Sequence, residues 1–377
     1  MNPPADPDPP SSDPELGRDP VQVLYLGGLG RSGTTLLERL LGELPGAVSL
    51  GEVVHLWERG IVDGERCGCG EPFHDCPFWN EVGKAAFGGW DQVDIERLRA
   101  LRATVDRTRY IPVLAGRRLP TATRARLDAY VSYYLRLYRA VAEVSGARLL
   151  IDSSKQSSLA FCLRWAAATS ASPIGEAGPI DLRVLHVVRD SRGVAYSWTK
   201  KVRRPEATAA REETGATGAT REEVRAAREE AGAVRQSGGA EYMAQWSPSK
   251  AAAYWNAENG AFALLARREV PTLLVRYEEF LRAPIAGLRR IAEFAGLSAD
   301  DAAMAFVTEA DDGSVTARLS TGHAASGNPM RFQTGPILLR RDEEWRTRLA
   351  LADRRRVTAL TYPLLRRYGY LKGARPA

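Results

Sequence analysis

The sequence predicts a single α/β domain built on a central, mostly parallel sheet flanked by helices. Short apolar runs typical of buried strands alternate with longer segments whose apolar residues recur at helical spacing, and this alternation is typical of βαβ units. A chain of 377 residues with 44% hydrophobic residues is long enough to bury one large core. The predicted strands span residues 21–26, 47–50, 148–151, 182–189 and 271–277.

The first apolar run, Val21 to Leu26, leads into a glycine-rich loop and then into a helix predicted from Thr34 to Leu44. Glycine lets the backbone approach a ligand closely, and the N–H groups and dipole at a helix start favour an oxyanion. We therefore expect this loop to bind a phosphate or a sulfate. The residues assigned to the anion site are Gly30, Arg31, Ser32, Gly33, Thr34 and Thr35.

The loop is of the P-loop nucleotide-binding type but departs from the NTP-binding pattern at one position. Gly28 and Gly33 have the expected separation, whereas Thr34 stands where an NTP-binding loop has its lysine. A cation is present earlier, at Arg31. The alternative is a glycine turn that only joins a strand to a helix.

Two motifs resemble those of the sulfotransferases that use 3'-phosphoadenosine 5'-phosphosulfate (PAPS). The stretch GRSGTTLLERLL is similar to their 5'-phosphosulfate loop, in which a basic residue precedes Ser-Gly-Thr-Thr. Their second mark is a strand ending in Arg with a Ser eight residues later, and LRVLHVVRDSRGVAYSW matches it with Arg189 and Ser197. The resemblance implies that these two residues bind the 3'-phosphate and that PAPS is the sulfuryl donor. Because Arg31, the loop amides and the loop hydroxyls can stabilise the transferred group, no metal is expected to be required.

A hydroxyl or amine acceptor needs a base. Better-known cytosolic members of the family use a histidine two residues after a lysine, but the matching strand end, Asp152 to Lys155, has no histidine. Glu52 lies in a position resembling the catalytic glutamate of other branches and is the first candidate, with a pKa expected to be raised by apolar neighbours. His55 is the second candidate. Arg31 and Lys155 are expected to stabilise the charge that develops on the transferred and bridging oxygens.

Two further cofactor residues are assigned by resemblance. VRYEEFLRAP is similar to the family's Tyr-Glu-Asp stretch, whose tyrosine borders the adenine, and this implies such a place for Tyr277. The region from His323 to Trp345 has turns but no periodicity, like the flexible late segment that closes over the cofactor with a basic residue. Arg331 is assigned to that role, although the family's Arg-Lys-Gly triplet is absent and Arg340 and Arg341 are hard to distinguish from it.

Three of the four cysteines, Cys67, Cys69 and Cys76, cluster in ERCGCGEPFHDCPFW with His74 among them. The C-x-C-x6-C spacing differs from the paired C-x2-C of common zinc modules, so no metal site is assigned. Zinc, a structural knuckle or redox-labile pair, and plain packing all stay open. Similar CxCG…CPFW segments in bacterial members of the family imply a place on the acceptor side.

Residues 1–20 are rich in Pro, Asp and Ser and are expected to form a disordered tail, so that the domain spans 21–377. Residues 203–240 contain few large apolar side chains and are expected to form a charged insertion or mobile lid. A helix is predicted from Thr123 to Val144, and its tyrosine stripe is expected to lie in the core.

The formal charge of +6 and the pI of about 9.2 come mostly from arginine and suit a polyanionic cofactor. No cluster of Lys/Arg with interleaved aromatics is present, so nucleic acid is not an expected partner. No apolar run approaches the roughly 18–20 residues of a membrane span, and no signal-peptide core is found, so we expect a cytoplasmic protein without membrane insertion. The expected acceptor is a small molecule. Neither its identity nor the oligomeric state can be inferred from the sequence.

Two other functions are compatible with parts of this pattern. The apolar strand ending in Asp152 resembles a Walker B strand, as in an NTP-dependent kinase. A nucleotide-binding module without turnover is the other alternative. The missing loop lysine disfavours the kinase, and the pair of Arg189 and Ser197 disfavours both.

Overall fold

The fold is described from a computed structural model, which covers residues 19–167, 178–203 and 242–371. The expected N-terminal tail at residues 1–20 and the expected charged insertion at residues 203–240 lie almost entirely outside these ranges.

Five parallel strands form the central sheet, in the order β2-β3-β1-β4-β5. This confirms the predicted fold class and the approximate place of every predicted strand. β3 runs on through the polar residues Asp152 to Lys155, four residues beyond its predicted end. The strands are β1 (Val21–Gly27), β2 (Ala47–Gly51), β3 (Leu149–Lys155), β4 (Ile180–Val188) and β5 (Thr272–Arg276).

Helices cover both faces of the sheet. Successive residues of the central strand point to opposite sides, so both faces carry apolar side chains that must be buried. Val23 and Tyr25 of β1 belong to one buried apolar cluster, and Leu24 and Leu26 belong to the other. The helices are α1 (Thr34–Leu41), α2 (Pro77–Phe87), α3 (Ile95–Val105), α4 (Ile111–Leu114), α5 (Thr121–Ser145), α6 (Ser157–Leu163), α7 (Ser191–Thr199), α8 (Pro248–Leu265), α9 (Tyr277–Phe280), α10 (Pro284–Ala295), α11 (Trp345–Arg348) and α12 (Leu351–Arg367). A π-helical segment, Leu56–Val62, follows β2.

The tyrosine stripe of α5 packs in the core, as predicted. Tyr130, Tyr134 and Tyr138 are fully buried, and their hydroxyls are satisfied inside the protein. The Tyr138 hydroxyl donates to the Asp152 carboxylate at 2.5 Å. The stripe therefore anchors α5 against the carboxyl end of β3.

A three-stranded antiparallel sheet was not anticipated from the sequence. It contains β6 (Val307–Glu309), β7 (Val315–Leu319) and β8 (Gly335–Leu338). The segment between β7 and β8 is fixed to α1 by Arg39, whose guanidinium donates to the carbonyls of Ser320, Arg331 and Gln333. These hydrogen bonds hold part of the region from residue 323 onward against α1, although the sequence there shows no periodic pattern.

Within the described ranges, no helix combines the length and the apolar character that a bilayer crossing requires.

Candidate active site

The carboxyl ends of all five parallel strands meet at one edge of the sheet, which is where open α/β sheets bind ligands. Each strand brings a different predicted site residue to this edge. The phosphate loop follows β1, Glu52 follows β2, Lys155 ends β3, Arg189 follows β4 and Tyr277 follows β5.

The loop after β1 requires its glycines. Gly28 and Gly33 have positive φ values of 130° and 92°, which favour glycine. A Cβ at Gly33 would overlap the Tyr277 ring, and one at Gly28 would overlap the Val187 carbonyl oxygen. The loop is thus enclosed by the ends of β4 and β5, and it is more than a turn between a strand and a helix.

The loop also fits an oxyanion ligand. Ser32 is fully buried, and its Oγ has no hydrogen-bond partner among the described residues, although buried hydroxyls are normally paired. α1 begins at Thr34, directly after this hydroxyl, and Thr35 is half-buried beside it. An orphaned donor next to a helix start is suited to a phosphate or sulfate oxygen.

Arg31 lies beside the loop in a backbone conformation that is uncommon for a residue with a side chain, at φ 76°. Its guanidinium lies over the Trp198 ring at 5.5 Å, and the Trp198 indole donates to the Gly30 carbonyl at 3.0 Å. Burial lowers the pKa of Arg31, and the Glu52 carboxylate opposes this. The indole and the strained backbone together fix a cation at the mouth of the loop.

Arg189 joins the two sequence motifs physically. Its side chain is 9% exposed, and one nitrogen donates to the Arg31 carbonyl at 3.2 Å. The other terminal nitrogen donates to the Asp342 carboxylate at 3.2 Å. The guanidinium also lies 5.1 Å from the centre of the Tyr277 ring. An arginine that already holds a carboxylate oxygen has the geometry needed for a phosphate.

Ser197 lies on α7, on the face that meets Arg189. A Cβ at Gly193 would come 3.3 Å from the Arg189 Nε, and Ser197 is one helical turn further along the same face. Lys200 follows at the end of the helix, with its Nζ 3.5 Å from the Asp342 carboxylate. Lys200 and Arg189 therefore share the Asp342 carboxylate as a partner.

Glu52 is held by its backbone and by its side chain. Its amide donates to the Ser326 carbonyl at 2.9 Å. Its carboxylate forms an ion pair with Lys155 and lies 3.5 Å from the Nε2 of His55. The two candidate bases and the candidate cation thus form one contiguous group.

The expectation of a raised pKa for Glu52 is wrong for this state of the protein. Burial raises the pKa, but the charge and the hydrogen bond of Lys155 outweigh it, and the pKa is lowered to about 2. Burial, with a contribution from Arg59, lowers the pKa of His55 to about 3. Glu52 is therefore ionised and His55 neutral at ordinary pH. The apolar residues next to Glu52 in the sequence do not indicate its ion pair with Lys155, which is 103 residues away.

Lys155, like Arg31, has a left-handed backbone, with φ 66°. Such strain in a residue with a Cβ is concentrated at functional sites. Here it turns the last residue of β3 so that its ammonium group reaches across to Glu52.

Asp152 is fully buried and has a structural role. It accepts hydrogen bonds from the Tyr138 hydroxyl and from the amide and hydroxyl of Ser154. Burial raises its pKa to about 6, against the effect of those hydrogen bonds. The Ser154 hydroxyl in turn accepts from the Val54 amide at 2.9 Å. Asp152 thus supports the turn that carries His55, and it does not face the sheet edge as a metal-binding Walker B aspartate would.

Glu38 is a functional residue that the sequence analysis missed. It lies in α1, fully surrounded by protein, and accepts from the Ser49 hydroxyl, the Gly51 amide and the Ser153 hydroxyl at 2.5–2.7 Å. Burial raises its pKa, while the two serine hydroxyls lower it. Because Gly51 immediately precedes Glu52, this carboxylate positions the candidate base. The available signal was a glutamate directly after Leu36 and Leu37 in a helix with a buried apolar face.

Arg331 packs between two loops. Its side chain is 2% exposed, and its guanidinium donates to the carbonyls of Gly327 and Arg66 at 3.0 and 2.9 Å. These contacts favour a structural role over closure on a cofactor. Arg340 and Arg341 are exposed and directly precede Asp342, the partner of Arg189.

A family model described as "Sulfotransferase family" matches residues 24–301. The chain belongs to the sulfotransferase family. Its activity is therefore the transfer of a sulfuryl group, and this activity disfavours the kinase and the non-catalytic module.

Solved structures of sulfotransferases resemble this chain at low identity. The sulfotransferase domain of the Synechococcus PCC 7002 olefin synthase is 18% identical with a TM-score of 0.40, over 91% of this chain and 95% of its own. For the domain from the curacin biosynthetic pathway the values are 15%, 0.42, 91% and 98%. For a sulfotransferase from Alicyclobacillus acidocaldarius they are 15%, 0.33, 93% and 96%. A search of the curated proteins found no match.

Proposed function

We propose that this sulfotransferase uses PAPS as its donor and transfers the sulfuryl group to a hydroxyl or amine of a small molecule. One observation carries the proposal: the buried Arg189 donates a hydrogen bond to the carbonyl of Arg31, so that a guanidinium after β4 directly adjoins the glycine-rich loop after β1. A donor with two separate anionic groups, such as PAPS, matches two adjacent anion sites of this kind.

In this proposal three groups of residues each bind a different part of the donor. The loop amides, Arg31 and the hydroxyls of Ser32, Thr34 and Thr35 bind the 5'-phosphosulfate. Arg189 and Ser197 bind the 3'-phosphate. The Tyr277 ring, which lies against both Gly33 and Arg189, borders the adenine.

Glu52 is the proposed base. The acceptor oxygen or nitrogen forms a bond to sulfur while the bond from sulfur to the bridging oxygen breaks, and 3'-phosphoadenosine 5'-phosphate leaves. The acceptor proton passes to the Glu52 carboxylate. In its ion pair with Lys155 the carboxylate is a weak base, so the ammonium group must move toward the leaving oxygen as the donor binds. That movement raises the pKa of Glu52 and stabilises the leaving group together.

His55 is the alternative base, because it is neutral and its Nε2 lies 3.5 Å from the Glu52 carboxylate. Replacement of Glu52 by Gln and of His55 by Ala distinguishes the two. The proposal requires the larger loss of kcat in Glu52→Gln.

We also propose that the transfer step needs no metal, since Arg31, Lys155 and Arg189 supply positive charge at the anion sites. Transfer rates are expected to be the same with and without added Mg²⁺. A dependence on Mg²⁺ would favour NTP chemistry instead.

The decisive experiment is calorimetric titration of the protein with 3'-phosphoadenosine 5'-phosphate and, separately, with ATP plus Mg²⁺. We expect binding of the bisphosphate, weakened about 10- to 100-fold in Arg189→Ala through loss of a charge-assisted hydrogen bond. Arg183→Ala is the matched control, because Arg183 lies on β4, the strand that precedes Arg189, and pairs with Asp181 instead. Preference for ATP with Mg²⁺, or equal binding by both variants, would refute the donor assignment.

A further inference from the structure

Three cysteines and one histidine converge where the loop after the π-helical segment meets the chain between β7 and β8. The ligand atoms of Cys67, Cys69, Cys76 and His323 all lie within 4.8 Å of one another. His323 is 256 residues from Cys67 in sequence, so no local sequence pattern predicts that it lies beside the cysteines. His74, the histidine inside the motif, is not part of the group, because its Nε2 lies 2.9 Å from the Ile61 carbonyl.

Three of the six distances between the ligand atoms are close to those of a tetrahedral zinc site, and all six are within 4.8 Å. With Zn–S of about 2.3 Å and Zn–N of about 2.0–2.1 Å, the S···S edge of a tetrahedron is about 3.8 Å and the S···N edge about 3.6 Å. The Cys69 and Cys76 sulfurs are 3.7 Å apart. The His323 Nδ1 is 3.4 Å from the Cys76 sulfur and 3.7 Å from the Cys67 sulfur.

We propose that Cys67, Cys69, Cys76 and His323 bind a structural zinc ion. Three thiolates and one imidazole in tetrahedral arrangement favour zinc over harder divalent cations. All four coordination positions are filled by protein, and this is the pattern of structural sites, whereas catalytic sites leave one position for water. On binding, the three thiols lose their protons to solvent and the histidine coordinates through Nδ1.

Backbone hydrogen bonds hold the cysteine loop in a tight turn and attach it to the segment that carries His323. The Cys67 amide donates to the Glu71 carbonyl and the Gly70 amide donates to the Cys67 carbonyl, both at 2.8 Å, so the first two cysteines lie on a tight turn. The Gly68 amide donates to the Ala324 carbonyl at 2.9 Å. A Cβ at Gly68 would come 2.8 Å from the Gly322 carbonyl oxygen, so a side chain there would separate the two loops.

The residues after Cys76 support the histidine ligand. The Phe78 ring stacks on the His323 ring, with centroids 4.8 Å apart and planes at 21°. The Trp79 indole donates to the His323 carbonyl at 2.9 Å. The CPFW motif therefore supplies one ligand and two contacts that orient another, as neighbours of zinc ligands commonly do.

The zinc ion would join the cysteine loop to the segment that borders Glu52. Two residues beyond His323, the Ala325 amide donates to the Leu50 carbonyl at 2.9 Å, and the Ser326 carbonyl accepts from the Glu52 amide. Loss of the metal would loosen this segment. This consequence rests on the proposed role of Glu52, whereas the zinc site itself does not.

The test is the metal content of the purified full-length protein, measured by inductively coupled plasma mass spectrometry after gel filtration. We expect about one zinc ion per chain in the wild type and in Cys162→Ala, the matched control whose cysteine is buried in α6. Both Cys76→Ser and His323→Ala should lose zinc to a chelator at concentrations that the wild type withstands, because each has one ligand fewer. Exchange with Co²⁺ should give the wild type a thiolate-to-cobalt charge-transfer band, which should weaken in Cys76→Ser, and the visible spectrum should shift in His323→Ala.

If Cys76→Ser fails to fold, His323→Ala and the cobalt spectrum of the wild type carry the test, since neither needs that variant. Four thiols should react in denaturant with a chelator present. A protein without bound zinc, or an affinity for zinc and a cobalt spectrum that are both unchanged in His323→Ala, overturns the proposal. Only two reactive thiols would indicate a disulfide instead. None of these measurements uses donor or acceptor, so they stand whether or not PAPS binds.

Discussion

The Asp342 carboxylate lies 3.2 Å from the guanidinium of Arg189, at the group to which we assign the donor's 3'-phosphate. Burial raises the pKa of Asp342, but the Glu344 amide and the charges of Arg189 and Lys200 lower it by more. The carboxylate is thus ionised and competes with a phosphate for the same cation.

We therefore predict that Asp342→Asn binds 3'-phosphoadenosine 5'-phosphate about 3- to 10-fold more tightly than the wild type, since a neighbouring negative charge is removed. Titration calorimetry at low and high salt measures this, and the gain should shrink with salt. Glu344→Gln is the control, because Glu344 contacts Lys200 and is highly exposed. Unchanged or weaker binding in Asp342→Asn would place the 3'-phosphate elsewhere.

Gly33→Ala should abolish bisphosphate binding and lower stability by more than about 1 kcal/mol, because it combines a strained backbone with overlap of the Tyr277 ring. Gly146→Ala offers a close comparison. Gly146 also has a positive φ, of 63°, but open space surrounds its Cβ position. Urea denaturation and calorimetry on both variants separate backbone strain from overlap. Equal effects in the two would contradict the enclosed loop.

Lys155→Met should move the acid limb of kcat/KM to higher pH. The wild-type pKa of Glu52 is held at about 2 mainly by Lys155, and without it the pKa rises. A base works only when deprotonated, so activity is then lost at a higher pH as the solution is acidified. We also expect kcat to fall about 100-fold through loss of charge at the leaving oxygen.

Initial rates from pH 4 to pH 8 test this prediction, with Lys84→Met as the control because Lys84 is an exposed lysine paired with Glu81. The wild type and Lys84→Met should show no acid limb from Glu52 in this range, because its wild-type pKa is about 2. If Lys155→Met shows no acid limb in this range either, Glu52 is not the base.

Glu38→Ala should lower the free energy of unfolding by about 3 kcal/mol, because two serine hydroxyls and the Gly51 amide lose their acceptor inside the protein. Glu38→Gln keeps one acceptor oxygen and should lose less. Urea denaturation measures both. A stability of Glu38→Ala within about 1 kcal/mol of wild type would show that water replaces the carboxylate.

The sheet and its phosphate loop could be predicted because their signals are local. Apolar runs mark the strands, and the glycines around Arg31 mark the loop. The pairing of Arg189 with Asp342 joins residues 153 positions apart, and that of Glu52 with Lys155 joins residues 103 apart. No periodicity or spacing reports such contacts, and for that reason the lowered pKa of Glu52 was missed.

The cysteine cluster also depends on a contact between residues that are far apart in the sequence. Three ligand atoms were visible within ten residues, but the pattern did not resemble a common zinc module because its fourth member, His323, comes from the far end of the chain. The small sheet of β6, β7 and β8 was missed since its strands are only three to five residues long.

The hydrogen bond from the Glu52 amide to the Ser326 carbonyl has a consequence for synthesis. The ribosome completes all five strands of the central sheet before it reaches Ser326, so a growing chain exposes its anion loop before its base is fixed. We expect ribosome-arrested chains of increasing length to acquire nucleotide binding first and turnover only after residue 326 has left the exit tunnel. The cell would then contain incomplete chains that bind the donor without transferring its sulfuryl group.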